Sequence, residues 1–169
     1  MSIDFGPGVL AAIDELCGSS DIETGGVLVG SYPDRLTVAV TEALPPPRDS
    51  EHYGTEFVRG ALGLRELLEE RWNTSPRTYY VGEWHYHPAP IVEPSAVDFA
   101  TMRGFAADPA IGCPCPIMVI ACRRSDGTRP MRAWTFIDGE PVEIALDAHR
   151  DVKPDNTPPR AAGGNHGQR

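Results

Sequence analysis

At 169 residues, with 23% charged and 41% hydrophobic side chains, the chain has the size and composition of one globular domain that buries most of its apolar surface in a single core. Its formal net charge of -9 excludes a broad phosphate-binding face, so neither nucleic acid nor an anionic membrane surface is an expected partner. No apolar run approaches the ~20 residues that span a bilayer, and the first residues carry neither a basic nor an apolar signal region, so a cytoplasmic location is expected.

In chain order, Val9, Leu10, Ile13 and Leu16 recur at helical spacing and predict a short helix from Gly8 to Cys17, stopped at Gly18-Ser-Ser. Strands are expected from Glu23 to Val29 and from Arg35 to Ala43, joined through Ser31-Tyr-Pro-Asp34. Leu44 to Gly54 contains Pro45-Pro-Pro47 and reads as a loop long enough to fold over a site. Its His52 is expected to be solvated rather than a ligand. Leu62, Leu64, Leu67, Leu68 and Trp72 predict an amphipathic packing helix. The strand from Thr78 to Tyr86 follows, and simple alternation puts Tyr79, Val81, Glu83, His85 and His87 on one face.

Pro88, Pro90 and Pro94 exclude regular structure until a helix starts near Ser95. That helix should run to Ala107 and bury Val97, Met102 and Phe105. Pro116 to Cys122, Ala133 to Ile137 and Pro141 to Leu146 read as further strands, so the alternation of elements predicts an α/β fold with helices on the faces of a sheet. From Asp147 onward the apolar content collapses, and residues 147–169 are expected to form a disordered tail. Cys17, Cys113, Cys115 and Cys122 make no framework of the secreted kind and are expected as reduced thiols. Cys113-Pro-Cys115 lacks the two-residue spacer and the His-x-Glu partner of a zinc deaminase site.

The chemistry concentrates between Glu83 and Asp98. His85 and His87 leave one strand face, and Asp98 follows His87 by eleven residues across a loop that can return it over the imidazoles. Two imidazoles and one carboxylate are a typical set for a catalytic zinc, because three protein ligands leave the fourth tetrahedral position to water. Ser95-Ala-Val-Asp98 reads equally as a helix capping box, and Glu83 as a residue that orients the site or forms a salt bridge.

His-x-His, seven residues, Ser, two residues, Asp resembles the JAMM motif of the MPN/JAB metallopeptidases, with every fixed position filled by His85, His87, Ser95 and Asp98. The family's upstream glutamate is matched by Glu23, ahead of Gly25 and Gly26, and the resemblance spans roughly Ile22 to Cys122. It looks most like the short prokaryotic JAB branch. The resemblance implies an MPN/JAB domain over residues 1–146, with a central mixed sheet flanked by helices in a three-layer arrangement similar to that of cytidine deaminases. It implies one Zn2+ on His85, His87 and Asp98, Glu23 as general base and Ser95 as oxyanion donor. The implied substrate is a ubiquitin-like protein or its conjugate, cleaved after its C-terminal glycine in deconjugation or precursor processing. Such domains accompany E1-like and E2-like proteins in bacterial conjugation cassettes, including antiphage defence systems. Two alternatives stay open: removal of an amino acid from a sulfur-carrier protein, and a non-catalytic MPN scaffold.

Overall fold

The computed structural model describes residues 1–18 and 21–146, so the expected C-terminal tail lies outside the described residues. The elements are β1 (Ser2–Phe5), α1 (Val9–Cys17), β2 (Thr24–Ser31), β3 (Thr37–Ala43), β4 (Glu51–His52), β5 (Phe57–Val58), α2 (Leu64–Asn73), β6 (Tyr79–His87), α3 (Ala96–Ala107), β7 (Ile117–Cys122), β8 (Met131–Ile137) and β9 (Glu140–Ile144). The helices and long strands of the sequence reading are all present with ends moved by at most two residues, whereas β1 and the β4–β5 hairpin were not expected. β1 is four residues of mixed polarity that pair only at the sheet edge, in parallel with β3, and β4 and β5 have two residues each, too short to show periodicity.

Seven strands form one mixed sheet in the order β1-β3-β2-β6-β7-β8-β9. β6 lies at its centre, antiparallel to β2 and parallel to β7, so the strand carrying both histidines is braced on each side. Helix α1 covers one face, where Val9, Ile13 and Cys17 pack with Leu28, Trp84, Tyr86 and Val119. The opposite face holds α2 over Val27, Val29 and Tyr80, and α3 over Met118, Ile120 and Phe136. The result is the expected single α/β domain in three layers.

Three details differ from the sequence reading. The β2–β6 register shifts beside Leu28 and Gly82, and this bulge reverses the side-chain alternation of β6. Tyr79 and Val81 therefore pack on the α1 side with Trp84 and Tyr86, while Glu83, His85 and His87 face the other way. Leu62 precedes α2 and is 65% exposed, and Trp72 is 50% exposed. Helix α2 holds its place instead through Leu64, Leu67 and Leu68 and a forked hydrogen bond from Arg71 to Glu42. Val97 is 67% exposed because it sits in the first turn of α3 on the wall of a cavity, so only Met102 and the partly buried Phe105 remain of the expected trio.

Gly82 is where the bulge and the parallel neighbour β7 meet, and a Cβ there would overlap the Ile117 carbonyl. Gly104, in the middle of α3, has open space around it. Chemical denaturation should therefore show Gly82→Ala losing about 1–3 kcal/mol or more, as overpacking against backbone does. Gly104→Ala should be neutral or gain about 0.5–1 kcal/mol; equal effects at the two glycines would contradict the packing described.

Candidate metal centre

Four separate pieces of chain meet at the end of β6. His85 and His87 come from its last turns of pleat, Asp98 and Ser95 from the start of α3, Glu23 from the residue before β2, and Phe57 and Arg59 from the end of the small hairpin. Glu23, Phe57, Arg59, Glu83, His85, Ser95 and Asp98 all line one cavity of about 560 Å³. His87 joins them through Asp98: its Nε2 stands 3.7 Å from the Asp98 Oδ2.

Ser95 caps α3, accepting the Asp98 backbone N–H on its Oγ at 3.1 Å, while the Ser95 N–H donates to Asp98 Oδ2 at 2.7 Å. The capping-box reading and the ligand reading of this stretch thus describe the same carboxylate. One oxygen is used in the cap, and the other, Oδ1, lies 2.9 Å from His85 Nδ1. Capping fixes the rotamer of Asp98 and points it across the loop at the histidines.

One ligand atom from each of His85, His87 and Asp98 lies within 4.8 Å of the others. Two atoms bound at about 2.1 Å to one tetrahedral ion stand about 3.4 Å apart, and the 2.9 Å from His85 Nδ1 to Asp98 Oδ1 and the 3.7 Å from His87 Nε2 to Asp98 Oδ2, one through each carboxylate oxygen, put the carboxylate within ligand range of both imidazoles. The donor set of two imidazoles and a carboxylate also fits a borderline metal of the zinc type. Among the described residues, no cysteine belongs to such a group. Cys113 is buried beside the Tyr32 hydroxyl at 3.3 Å, and burial pushes its thiol up to about 11, which keeps it protonated and poorly suited to metal.

The electrostatics separate the two histidines. Burial acts to lower the pKa of His85, but the Asp98 and Glu83 carboxylates outweigh it and raise the imidazole to about 9. Burial also opposes charge on Asp98, yet the hydrogen bonds from His85 and Ser95 prevail and bring it down to about 2. His87 is held below its ordinary value, chiefly by burial, with Asp98 pulling the other way. Glu23 is raised, first by burial and then by the Asp98 charge, as suits a carboxylate that takes up and releases a proton.

Glu83 does not join the trio. It is buried, accepts a 2.8 Å bond from Arg59 Nε, and approaches His85 Nε2 at 3.5 Å, which agrees with the orienting or salt-bridge role read from the sequence. His52 is half-buried rather than solvated, and its Nδ1 lies 3.1 Å from the Glu23 carbonyl oxygen, apart from the ligands. Arg59 and Phe57 were missed. They lie in a stretch without periodic signal, and only the fold brings Phe57 into a T-shaped contact with His85, with centroids 5.8 Å apart. Gly25 has a specific task here. It is paired across the strands with His85, and a Cβ would come 2.5 Å from the Trp84 carbonyl oxygen and 3.0 Å from the imidazole Cδ2.

A family model described as prokaryotic homologs of the JAB domain matches residues 8–137. The chain is 48% identical over 99 residues to a protein of Enterobacter hormaechei named CD-NTase/cGAS isopeptidase, covering 58% of this chain and 54% of that one. A protein of Pseudomonas aeruginosa with the same name is 32% identical over 80 residues, covering 47% of this chain and 50% of its own. A protein of Sinorhizobium fredii named probable metalloprotease y4qB is 27% identical over 116 residues, covering 68% and 70%. The chain thus spans about half the length of the two isopeptidases it matches. The solution structure of protein DSY2949 from Desulfitobacterium hafniense has a TM-score of 0.56 over 87% of this chain and 97% of that chain at 18% identity, a likeness of fold alone. Because the matched span of residues 8–137 contains Glu23, the His85, His87 and Asp98 trio and the Ser95 cap that orients it, the chain belongs to the prokaryotic homologs of the JAB domain.

Proposed function

We propose that the protein is a zinc-dependent isopeptidase that hydrolyses the amide bond after the C-terminal glycine of a ubiquitin-like protein, in deconjugation or precursor processing. The observation that carries this reading is the meeting of His85, His87 and Asp98 with a carboxylate of raised pKa, Glu23, around one cavity. Two relatives are named isopeptidases of a CD-NTase or cGAS, and a conjugate of such a protein with the ubiquitin-like partner is the substrate proposed here. E1-like and E2-like proteins of one antiphage pathway would make that conjugate. No helix of the described residues is long and apolar enough to cross a membrane.

His85, His87 and Asp98 would hold the ion. When bound, it supplies Lewis acidity that makes hydroxide available from water near neutral pH and polarises the scissile carbonyl. Glu23 takes the proton of the attacking water and passes it to the leaving amine, a task its raised pKa fits. Ser95 has its Oγ lone pair engaged by the Asp98 N–H, which leaves its hydroxyl proton free to point into the cavity toward the oxygen that gains charge. Phe57 packs on His85 and keeps water from that side of the ring. Gly25 keeps the strand beside His85 clear of a side chain.

Metal analysis of purified protein should find one zinc per chain, lost in His85→Ala and Asp98→Ala. In the metal-free protein His85 carries a proton up to a pH of about 9, and an ion must displace it. Zinc affinity should therefore rise about tenfold per pH unit from 7 toward 9 and then level off; an affinity flat over that window would show that no proton leaves His85.

Activity is measured on a ubiquitin-like domain ending in glycine, joined by a peptide bond to a fluorescent reporter, and in parallel on the same domain joined to a lysine side chain. Glu23→Gln should keep its zinc and lose about 10²- to 10⁴-fold in rate. Ser95→Ala should lose about 10²- to 10³-fold and, as a broken cap, about 1 kcal/mol of stability. Loss of zinc in Glu23→Gln would make Glu23 a fourth ligand and the site a structural one.

A further inference from the structure

Glu23 falls outside the register that joins β2 to β6, which begins at the Thr24–Tyr86 pair, so the sheet itself does not hold its backbone. The β4–β5 hairpin holds it instead. The Glu23 N–H donates to the Tyr53 carbonyl at 2.8 Å, and the Glu23 carbonyl lies 3.1 Å from His52 Nδ1. A carbonyl oxygen can only accept, so His52 carries its proton on Nδ1 and donates it there. The His52 ring packs on Phe57 with centroids 5.1 Å apart, and Phe57 meets the His85 ring in a T-shaped contact at 5.8 Å. Arg59, next along the same hairpin, binds Glu83 beneath His85. The hairpin is therefore bonded to both peptide groups of Glu23 at one end and packed against the ligand strand at the other.

We propose that His52 is a positioning residue for Glu23, its Nδ1–H fixing the peptide after Glu23 so that the carboxylate faces the His85, His87 and Asp98 trio. This rests on the reading of Glu23 as the base. With the bond gone, the Glu23 backbone keeps the Tyr53 contact on one side and its connection to the β2–β6 register at Thr24 on the other, and the loss of the clamp between them lets the carboxylate swing. A misplacement of about 1 Å costs about 10²-fold in rate without touching the metal ligands.

The test compares full-length His52→Leu and His52→Asn with the wild type, using the fusion to the fluorescent reporter, zinc content, melting temperature and amide hydrogen exchange of the metal-free protein. His52→Leu is expected to keep one zinc and a KM within about twofold, to lower kcat by about 10- to 100-fold, and to speed exchange at the Glu23 amide at least about tenfold. His52→Asn, whose side-chain amide can donate from a similar place, should restore kcat to within about threefold and slow the exchange again. Unchanged kcat in His52→Leu, or Asn and Leu variants equally impaired with wild-type exchange at Glu23, would overturn the proposal. If the wild type leaves the fusion intact, the functional reading fails, and the exchange arm alone then decides: protection of the Glu23 amide that is lost with Leu and regained with Asn supports the clamp, and protection unaffected by either substitution refutes it.

Discussion

The site depends on one carboxylate that serves two structures at once. Asp98 closes the capping box of α3 through Oδ2 and faces His85 through Oδ1. A helix start needs an acceptor for its free N–H groups, and a pair of imidazoles needs an oxygen ligand of fixed direction. Combining the two needs in one side chain means that the loop with Pro88, Pro90 and Pro94 has no freedom left at its end. Wherever α3 packs, Asp98 follows, and α3 is packed on the sheet by Met102, Phe99 and Phe105.

The sheet supplies the other half of the constraint. β6 lies between β2 and β7, with its residues buried on both faces, so the histidines at its end are carried by a central strand that is paired on each side. The bulge at Gly82 matters to function as much as to packing. Without it, strict alternation would place Glu83, His85 and His87 on the face that carries Tyr79 and Val81, against α1 and away from α3. The extra residue turns Glu83, His85 and His87 toward the helix that brings Asp98.

Glu83 shows how the charges are kept in order. A carboxylate that is 3% exposed is costly unless paired, and Arg59 pairs it at 2.8 Å while spreading over the Phe105 ring. That pair leaves Glu83 satisfied beside His85, so the negative charge offered to an ion is that of Asp98, and in the proposed mechanism Glu23 is left for proton transfer. The Arg59 side of the arrangement comes from the small hairpin, and so does the hold on Glu23. A segment of nine residues with almost no regular structure thus organises the wall of the cavity opposite α3.

The sequence by itself determined the candidate ligands and most of the elements. His85, His87, Ser95 and Asp98 stand at a spacing that few other arrangements produce, and the capping box, the proline-rich loop and the apolar run of β7 are local signals that need no partner to be read. Glu23 was legible only through family resemblance, because sixty residues separate it from the histidines and no local pattern links them. What only the tertiary structure decided is everything set by contact between distant segments: the reversal of the β6 faces at Gly82, the exposure of Val97 and Trp72, and the arrival of His52, Phe57 and Arg59 at the site. Periodicity records which way a side chain points relative to its own neighbours in the chain. It carries no information about a bulge set by the register of another strand, or about a hairpin of two-residue strands whose conformation is held by hydrogen bonds to Glu23 and an ion pair to Glu83.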